Sequence, residues 1–131
     1  MGSEMKKQIV KVPSVAHSGS FNHVVKVNGF LFLTSQLSAD LATGKILSGN
    51  ITEQTTRAME NVKFLLESCG SKMEDIVKVV IYMRDAKDRE KMNQVYQKYF
   101  MCGEEPAKVS VQAASPIDGV DIEIEVVAVA R

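Results

Sequence analysis

The sequence lacks most of the features that would assign a protein to a membrane, a secretory route or a nucleic acid. Its sixteen basic and sixteen acidic residues cancel to a formal charge of zero, so no attraction to a polyanion or an anionic membrane is predicted. No apolar run approaches the roughly 20 residues that span a bilayer, and the start, MGSEMKKQIV, has no signal-peptide apolar segment. We therefore expect a soluble cytoplasmic protein with no membrane partner, and a nucleic-acid partner is disfavoured.

Cysteine and histidine are also scarce. The two cysteines, Cys69 and Cys102, form no CxxC pair and have no secretory context, so reduced thiols are expected. A catalytic cysteine assisted by His17 or His23 is a weaker alternative, because no activating arrangement is visible. The two histidines are six residues apart, which is not a metal-ligand spacing on a helix. We predict no metal site.

The length fits one domain. Domains commonly contain about 100 to 200 residues, and the chain of 131 residues has no linker or internal repeat. We expect a single domain over residues 1–131. Residues 1–7 are expected to be flexible and in part foreign to the natural chain.

Strand-like segments alternate with two helical ones. The strands are predicted at 8–12, 24–27, 30–36, 76–83, 107–113 and 120–130. Asn28-Gly29 predicts a tight hairpin between the second and third strands. The segment at 76–83 is nearly continuous in β-branched residues, which favours an interior strand covered on both faces.

Two helices separate these strands. Asn50 and Glu53 have the spacing of a capping box at the start of the first helix, and Gly70 is placed to end it. The second helix is predicted to start at Asp85 or Asp88 and to stop near Phe100. Each helix has one apolar stripe; the members are Thr55, Ala58, Val62, Leu65, Leu66 and Cys69 in the first, and Met92, Val95, Tyr96 and Tyr99 in the second.

This order of elements predicts a two-layer α+β domain with both helices on one side of the sheet, because two helices cannot cover both faces. In the last strand, side chains alternate between an apolar face and a face that carries Glu123, Glu125, Val127 and Val129. The second face is too apolar to be left in water, which suggests burial against other subunits.

Several short segments together resemble the RidA/YjgF/YER057c family, also called the reactive intermediate deaminase or L-PSP family. The resemblance covers essentially the whole chain. The segments are Asn61-Val62-Lys63, Asp75-Ile76-Val77-Lys78, Asn93 with Tyr96 and Phe100, Pro106-Ala107, and Ile122-Glu123-Ile124-Glu125.

The resemblance implies a chorismate-mutase-like fold, with a six-stranded mixed sheet and two helices on one face. It also implies that the last strand inserts between the third and fourth strands. The expected assembly is a homotrimer with an interior barrel, and small carboxylate or imino-acid ligands are expected in clefts between subunits.

Active members of the family hydrolyse 2-imino or enamino acids to 2-oxo acids and ammonia without a metal or an organic cofactor. The resemblance makes Glu123 the catalytic residue that handles water. Lys108 stands where the family has an arginine that grips the substrate carboxylate. The other expected substrate-binding residues are Phe21, Thr34, Ser35, Asn93 and Ser110; Phe21 replaces a usual tyrosine, Ser35 a glycine and Ser110 a frequent cysteine.

Lys108 leaves the activity open. An ammonium is a point charge that orients a carboxylate less strictly than a planar guanidinium, so reduced or altered imine hydrolysis is expected. Lys108 could instead form a Schiff base with an oxo acid, or be a strand lysine paired with Glu125 or with an acid of a neighbouring subunit. The alternatives for the whole protein are a non-catalytic trimer that binds small carboxylates, an endoribonuclease or translation inhibitor, and a chaperone-like role.

Overall fold

Six strands form one mixed sheet, and two α-helices pack on one of its faces. The computed structural model describes residues 6–131. The strands are β1 (Gln8–Val10), β2 (Val24–Val27), β3 (Phe30–Leu33), β4 (Ile76–Met83), β5 (Ala107–Gln112) and β6 (Ile122–Val129), and the helices are α1 (Ile51–Ser68) and α2 (Arg89–Tyr96). Single 3-10 turns lie at Met73–Asp75, Ala86–Asp88 and Gln97–Tyr99.

The strand order is β1-β2-β3-β6-β4-β5. The last strand lies between β3 and β4 and is antiparallel to both, whereas β5 is parallel to β4 at the edge of the sheet. The expected insertion of the last strand is therefore confirmed, and β5 and β6 do not form a hairpin. The two-layer α+β fold with helices on one face is also confirmed.

The local signals at turns and helix ends are confirmed. Asn28 and Gly29 have positive φ angles of 48° and 83°, as a type I′ hairpin turn requires, and Val27 faces Phe30 across the turn. Asn50 Oδ1 accepts the Glu53 N–H at 2.9 Å, and Glu53 Oε1 accepts the Asn50 N–H at 3.0 Å. These two bonds are the predicted capping box at the start of α1.

The end of α1 and the start of the second helical segment also follow the sequence. Gly70, at φ 80°, follows α1 in the left-handed conformation. Asp85 caps a 3-10 turn by accepting the Lys87 N–H at 2.9 Å, and α2 begins only at Arg89. The single predicted helix is therefore a 3-10 turn, an α-helix and a second 3-10 turn in succession.

The core lies between the helices and the inner face of the sheet. Alternate residues of β6 form the centre of the core, and each is at most 1% exposed. These residues are Ile122, Ile124, Val126 and Ala128. The helices contribute Ala58, Met59, Val62, Leu65, Leu66 and Met92, all fully buried. The alternation predicted for the last strand is confirmed, because one face is buried and the other is not.

Some strand predictions were wrong in detail. The third strand stops at Leu33, because beyond it only Gln36 pairs with the sheet, in an isolated bridge to Ile124. The first strand ends at Val10, the fifth at Gln112, and the last spans Ile122–Val129. A prediction was also made for residues 1–7. Of these, residues 1–5 lie outside the described part of the chain.

The fourth strand is interior, as predicted, but within one chain only one of its faces is covered. Val79, Ile81 and Met83 are buried under the helices, whereas Val80 and Tyr82 are partly exposed on the opposite side. That side of the sheet, called the open face here, carries large apolar residues that are about 40% exposed: Phe30, Phe32, Val109, Val111 and Val129. In residues 6–131, no helix is long and apolar enough to cross a membrane.

A buried glutamine ties the start of α1 to the loop before β6. Gln54 is 1% exposed, and its Nε2 donates to the carbonyls of Gly49 (2.9 Å) and Gly119 (3.1 Å) and to Asp121 Oδ2 (3.2 Å). Its Oε1 accepts the Asp121 N–H at 2.9 Å. Both polar atoms of the Gln54 side chain are thus paired, and the end of the loop next to β6 is held against the start of α1.

We expect Gln54→Ala to lower the free energy of unfolding by about 2 kcal/mol, because it leaves a buried N–H and carbonyls without partners. The matched control is Gln94→Ala, on the exposed side of α2. Urea unfolding at one fixed protein concentration measures the difference. Equal midpoints for the two variants would contradict the anchoring role of Gln54.

Candidate functional site

Lys108 lies on the helix side of the sheet. Its register partner in β4 is Val79, which is buried under the helices, so the two side chains share that face. The Lys108 Nζ donates to Asn93 Oδ1 of α2 at 2.5 Å and sits 4.6 Å from the centroid of the Tyr96 ring. An amide oxygen and an aromatic face therefore hold the ammonium group.

The charge of Lys108 is not neutralised by an acid. None of the ion pairs between residues 6–131 involves it. Glu125, the partner in the alternative interpretation, lies on the open face and accepts the Tyr82 hydroxyl at 3.0 Å. That pairing is therefore not formed within the chain. Burial, followed by the nearby Arg89 guanidinium, lowers the pKa of Lys108 from its usual value.

Tyr96, beneath Lys108, is a polar residue in an apolar position. Only 4% of it is exposed, and its hydroxyl is buried with no hydrogen-bond partner in the described chain. Burial, with a smaller contribution from Glu105, raises the pKa of Tyr96 to about 12. Tyr96 therefore stays neutral and presents its ring to the cation.

Glu123 is the centre of a second group. Its Oε1 accepts the Ser35 hydroxyl at 2.7 Å, and its Oε2 accepts the Ser115 hydroxyl at 2.5 Å. Glu123 pairs in register with Tyr82, and both are partly exposed on the open face. A cavity of about 280 Å³ adjoins the group, lined by Ser35, Tyr82, Ser115, Asp121, Glu123 and Glu125, among others.

The isolated bridge at Gln36 explains why Ser35 reaches Glu123. The Gln36 N–H donates to the Ile124 carbonyl at 2.7 Å, and the Ile124 N–H donates to the Gln36 carbonyl at 2.8 Å. Because this antiparallel bridge pairs Gln36 with Ile124, Ser35 and Glu123 project from the same face as diagonal neighbours, within reach of a hydrogen bond.

The structure separates the predicted site into two groups. Lys108, Asn93 and Ser110 belong to the helix side; Ser110 pairs with buried Ile81 and is itself exposed. Glu123 and Ser35 belong to the open face. Within one chain the expected carboxylate-binding cation and the expected catalytic glutamate therefore point to opposite sides of the sheet.

Phe21 and Thr34 lie apart from both groups. Phe21 is 43% exposed, contacts the edge of the His23 ring and lines a separate cavity of about 120 Å³. The Thr34 N–H donates to the His23 carbonyl at 2.9 Å, and the Thr34 carbonyl accepts Gln36 Nε2 at 3.1 Å. Thr34 is thus next to Ser35 along the chain, but only its backbone has an assigned partner.

Burial shifts the pKa of one cysteine and one histidine. Burial raises the pKa of Cys69, which disfavours its thiolate, and burial lowers the pKa of His23. Cys102 is exposed and unpaired within residues 6–131. In the same range, no group of three or more His, Cys, Asp or Glu side chains is arranged to hold a metal ion.

Ser115 and Tyr82 join the site without having been identified from the sequence. Ser115 is in the loop before Pro116, where no periodicity indicates which way a side chain points. Tyr82 is in a nearly continuous apolar strand. Its position opposite Glu123, with its hydroxyl on Glu125, follows from the register of β4 and β6, which single-sequence patterns do not provide.

Comparison with known proteins finds many relatives of this chain. The family model described as Endoribonuclease L-PSP matches residues 12–130. A RutC family protein of Pyrococcus abyssi is 42% identical over 111 residues, which are 84% of this chain and 86% of that protein. The 2-iminobutanoate/2-iminopropanoate deaminase of Mus musculus is 28% identical over 129 residues, which are 98% of this chain and 95% of that protein.

The fold is matched by solved structures as well. The crystal structure of the yeast protein YEO7 superimposes with a TM-score of 0.87 at 32% identity, covering 96% of this chain and all of the yeast chain.

The three tyrosines provide a test of the site electrostatics. The Glu125 hydrogen bond raises the pKa of Tyr82, burial raises that of Tyr96 to about 12, and burial with Glu60 raises that of Tyr99. We expect tyrosinate absorbance at 295 nm to appear at higher pH in the native protein than in urea. Because the unfolded chain releases these protons first, stability falls as the pH rises above about 10.

Tyr99→Phe should remove part of the delayed absorbance change. Native and unfolded titration curves that coincide would contradict the assigned environments.

Proposed function

The chain belongs to the Endoribonuclease L-PSP family, known also as the RidA/YjgF family, and on this basis we propose that it hydrolyses small carboxylate-bearing imines. The proposed substrates are 2-imino or enamino acids, and the products are 2-oxo acids and ammonia. The name of the mouse relative, a 2-iminobutanoate/2-iminopropanoate deaminase, supports this reaction class. The proposal includes a cytoplasmic location and requires no metal and no organic cofactor.

One observation carries the proposal: an ammonium group is held in place without an acidic partner. In the described chain Lys108 Nζ has Asn93 and the Tyr96 ring as neighbours and no carboxylate in an ion pair. A cation that is oriented but not neutralised keeps its charge for a carboxylate ligand. In the proposed reaction, Lys108 anchors the substrate carboxylate and Asn93 orients Lys108.

Glu123 supplies the second function. Water adds through its oxygen to the imine carbon while Glu123 takes a proton from it, and the electrons of the C=N bond move to nitrogen. Glu123 then returns the proton to nitrogen, which gives a carbinolamine. It next takes the hydroxyl proton and passes it to nitrogen as the C–N bond breaks, so that ammonia leaves as the carbonyl forms. Holding water, carboxylate and base together is the main contribution of such a site, because bound geometry replaces random encounter.

The separation of the two groups supports an assembly of several chains. A ligand cannot contact Lys108 and Glu123 of the same chain, because their side chains leave opposite faces of the sheet. A second copy placed against the open face would cover Phe30, Phe32 and Val129 and bring one group of each chain to a shared cleft. We therefore propose a homotrimer with its sites between chains.

Lys108 is expected to make the reaction slower than an arginine would. An ammonium group attracts a carboxylate but does not hold it by two parallel hydrogen bonds, so the imine carbon is positioned less strictly. This feature also favours the second candidate, a trimer that binds small carboxylates without hydrolysing imines. Variants of Lys108 distinguish the two.

With 2-aminoacrylate generated in situ, we expect oxo acid to be released faster in the presence of the wild-type protein than in buffer alone. Lys108→Met should lower kcat/KM by about tenfold or more, because one charged hydrogen bond to the substrate is lost. Lys108→Arg should raise kcat/KM, because the guanidinium restores a two-pronged grip. The matched control is Lys45→Met, in an exposed turn away from both groups.

Oxo-acid release no faster than in buffer would reject the hydrolase. Carboxylate binding that is then lost in Lys108→Met would establish the non-catalytic binder. The endoribonuclease in the family name has little support from a chain with zero net charge. RNA cleavage that survives purification and disappears in Glu123→Gln would establish that function instead.

The assembly has its own test. Phe32→Glu puts a charge on the open face. We expect this variant to be monomeric rather than trimeric and to have no hydrolase activity, although Lys108 and Glu123 are unchanged. Phe64→Glu is the control, since Phe64 is 47% exposed on α1, away from the open face. Sedimentation equilibrium measures the mass. A wild-type protein that sediments as one chain would reject the trimer.

A further inference from the structure

Both carboxylate oxygens of Glu123 accept a serine hydroxyl, but the two serines are held differently. Ser35 approaches from the segment after β3, at 2.7 Å from Oε1. Ser115 approaches from the loop between β5 and β6, at 2.5 Å from Oε2. Each oxygen keeps a second lone pair, so the carboxylate is oriented and can still contact water.

Ser115 has a fixed hydrogen-bond direction. Its Oγ accepts the Ile117 N–H at 3.1 Å while its own hydrogen goes to Glu123. The far end of the same loop is held by Gln54, which binds Gly119 and Asp121. Because the hydroxyl accepts a backbone N–H, it is polarised and donates more strongly to Glu123, so reversing it would break a strengthened hydrogen bond.

Ser35 is the easier of the two to reverse. Within residues 6–131 its hydroxyl has Glu123 as its only hydrogen-bond partner and accepts no N–H, so its rotation from donor to acceptor breaks an ordinary rather than a strengthened hydrogen bond. Its backbone is held by the bridge between Gln36 and Ile124, which keeps the oxygen in place during the rotation.

We propose that Ser115 and Ser35 are positioning residues for Glu123, and that their asymmetry selects the oxygen that carries the proton. Ser115 always donates, so Oε2 remains an acceptor. Ser35 donates to the ionised carboxylate and accepts from the protonated one, so the proton taken from water resides on Oε1. This inference rests on the proposed function for its catalytic consequence, but the hydrogen-bond asymmetry itself does not.

The kinetic test compares hydroxyl removal with conservative replacement. In the imine assay, Ser115→Ala should lower kcat by about tenfold and leave KM within about twofold, because the serine contacts Glu123 rather than the substrate carboxylate. Ser115→Thr keeps the hydroxyl and should restore most of kcat, and Ser35→Ala should also lower kcat. Ser68→Ala, which removes an exposed hydroxyl on α1, should change neither constant.

A kcat for Ser115→Ala within about twofold of wild type would overturn the positioning role. So would a Ser115→Thr variant that folds like the wild type by circular dichroism and stays as slow as Ser115→Ala.

A second measurement does not depend on activity. Glu123→Gln mimics the protonated carboxyl group with one acceptor oxygen and one NH₂ donor. The fixed donor Ser115 should face the oxygen, and Ser35 should face the NH₂ group, so the amide protons of the introduced side chain should show nuclear Overhauser effects to the Ser35 β-protons. Nuclear Overhauser effects to the Ser115 β-protons, or to the protons of neither serine, would contradict the proposed difference between the two hydroxyls. If wild-type protein does not hydrolyse imines, this result still decides the hydrogen-bond assignment.

Discussion

The two-residue period of β6 is the constraint on which the rest of the molecule depends. Every second side chain of this strand is in the core, at the centre of the sheet and against α1. The residues between them must therefore point to the opposite side, and two of those are Glu123 and Glu125. A shift of one residue would bury two carboxylates and expose four apolar residues, so the core holds the glutamates on the open face.

The two groups of polar residues show two ways to orient a charged side chain with neutral partners. Lys108 is surrounded by an amide oxygen and an aromatic ring, which orient the ammonium without cancelling its charge. Glu123 is surrounded by hydroxyls, which orient the carboxylate and also leave its charge in place. A direct ion pair would have oriented each group equally well but would have satisfied it, leaving nothing for a substrate.

Local sequence patterns predicted the elements of the fold but only part of the site. Periodicity placed both helices and six strands, and the Asn28-Gly29 and Asn50 signals placed turns and caps, because these depend on residues close in the chain. The position of β6 between β3 and β4 came from family resemblance. The Lys108–Asn93 contact, the Ser115 hydroxyl and the opposite orientations of Lys108 and Glu123 depend on register between distant segments, which local patterns do not contain.

The strand that carries Lys108 is also an unprotected edge. All six residues of β5 are exposed, and β4 is its only strand neighbour in the described chain. An edge of this kind is a template for unwanted pairing with another chain, and a lysine within it is a common protection against such growth. The cation at this position therefore discourages edge-to-edge pairing, apart from the ligand-binding role proposed for it, and a neutral residue in its place would leave the edge without this protection.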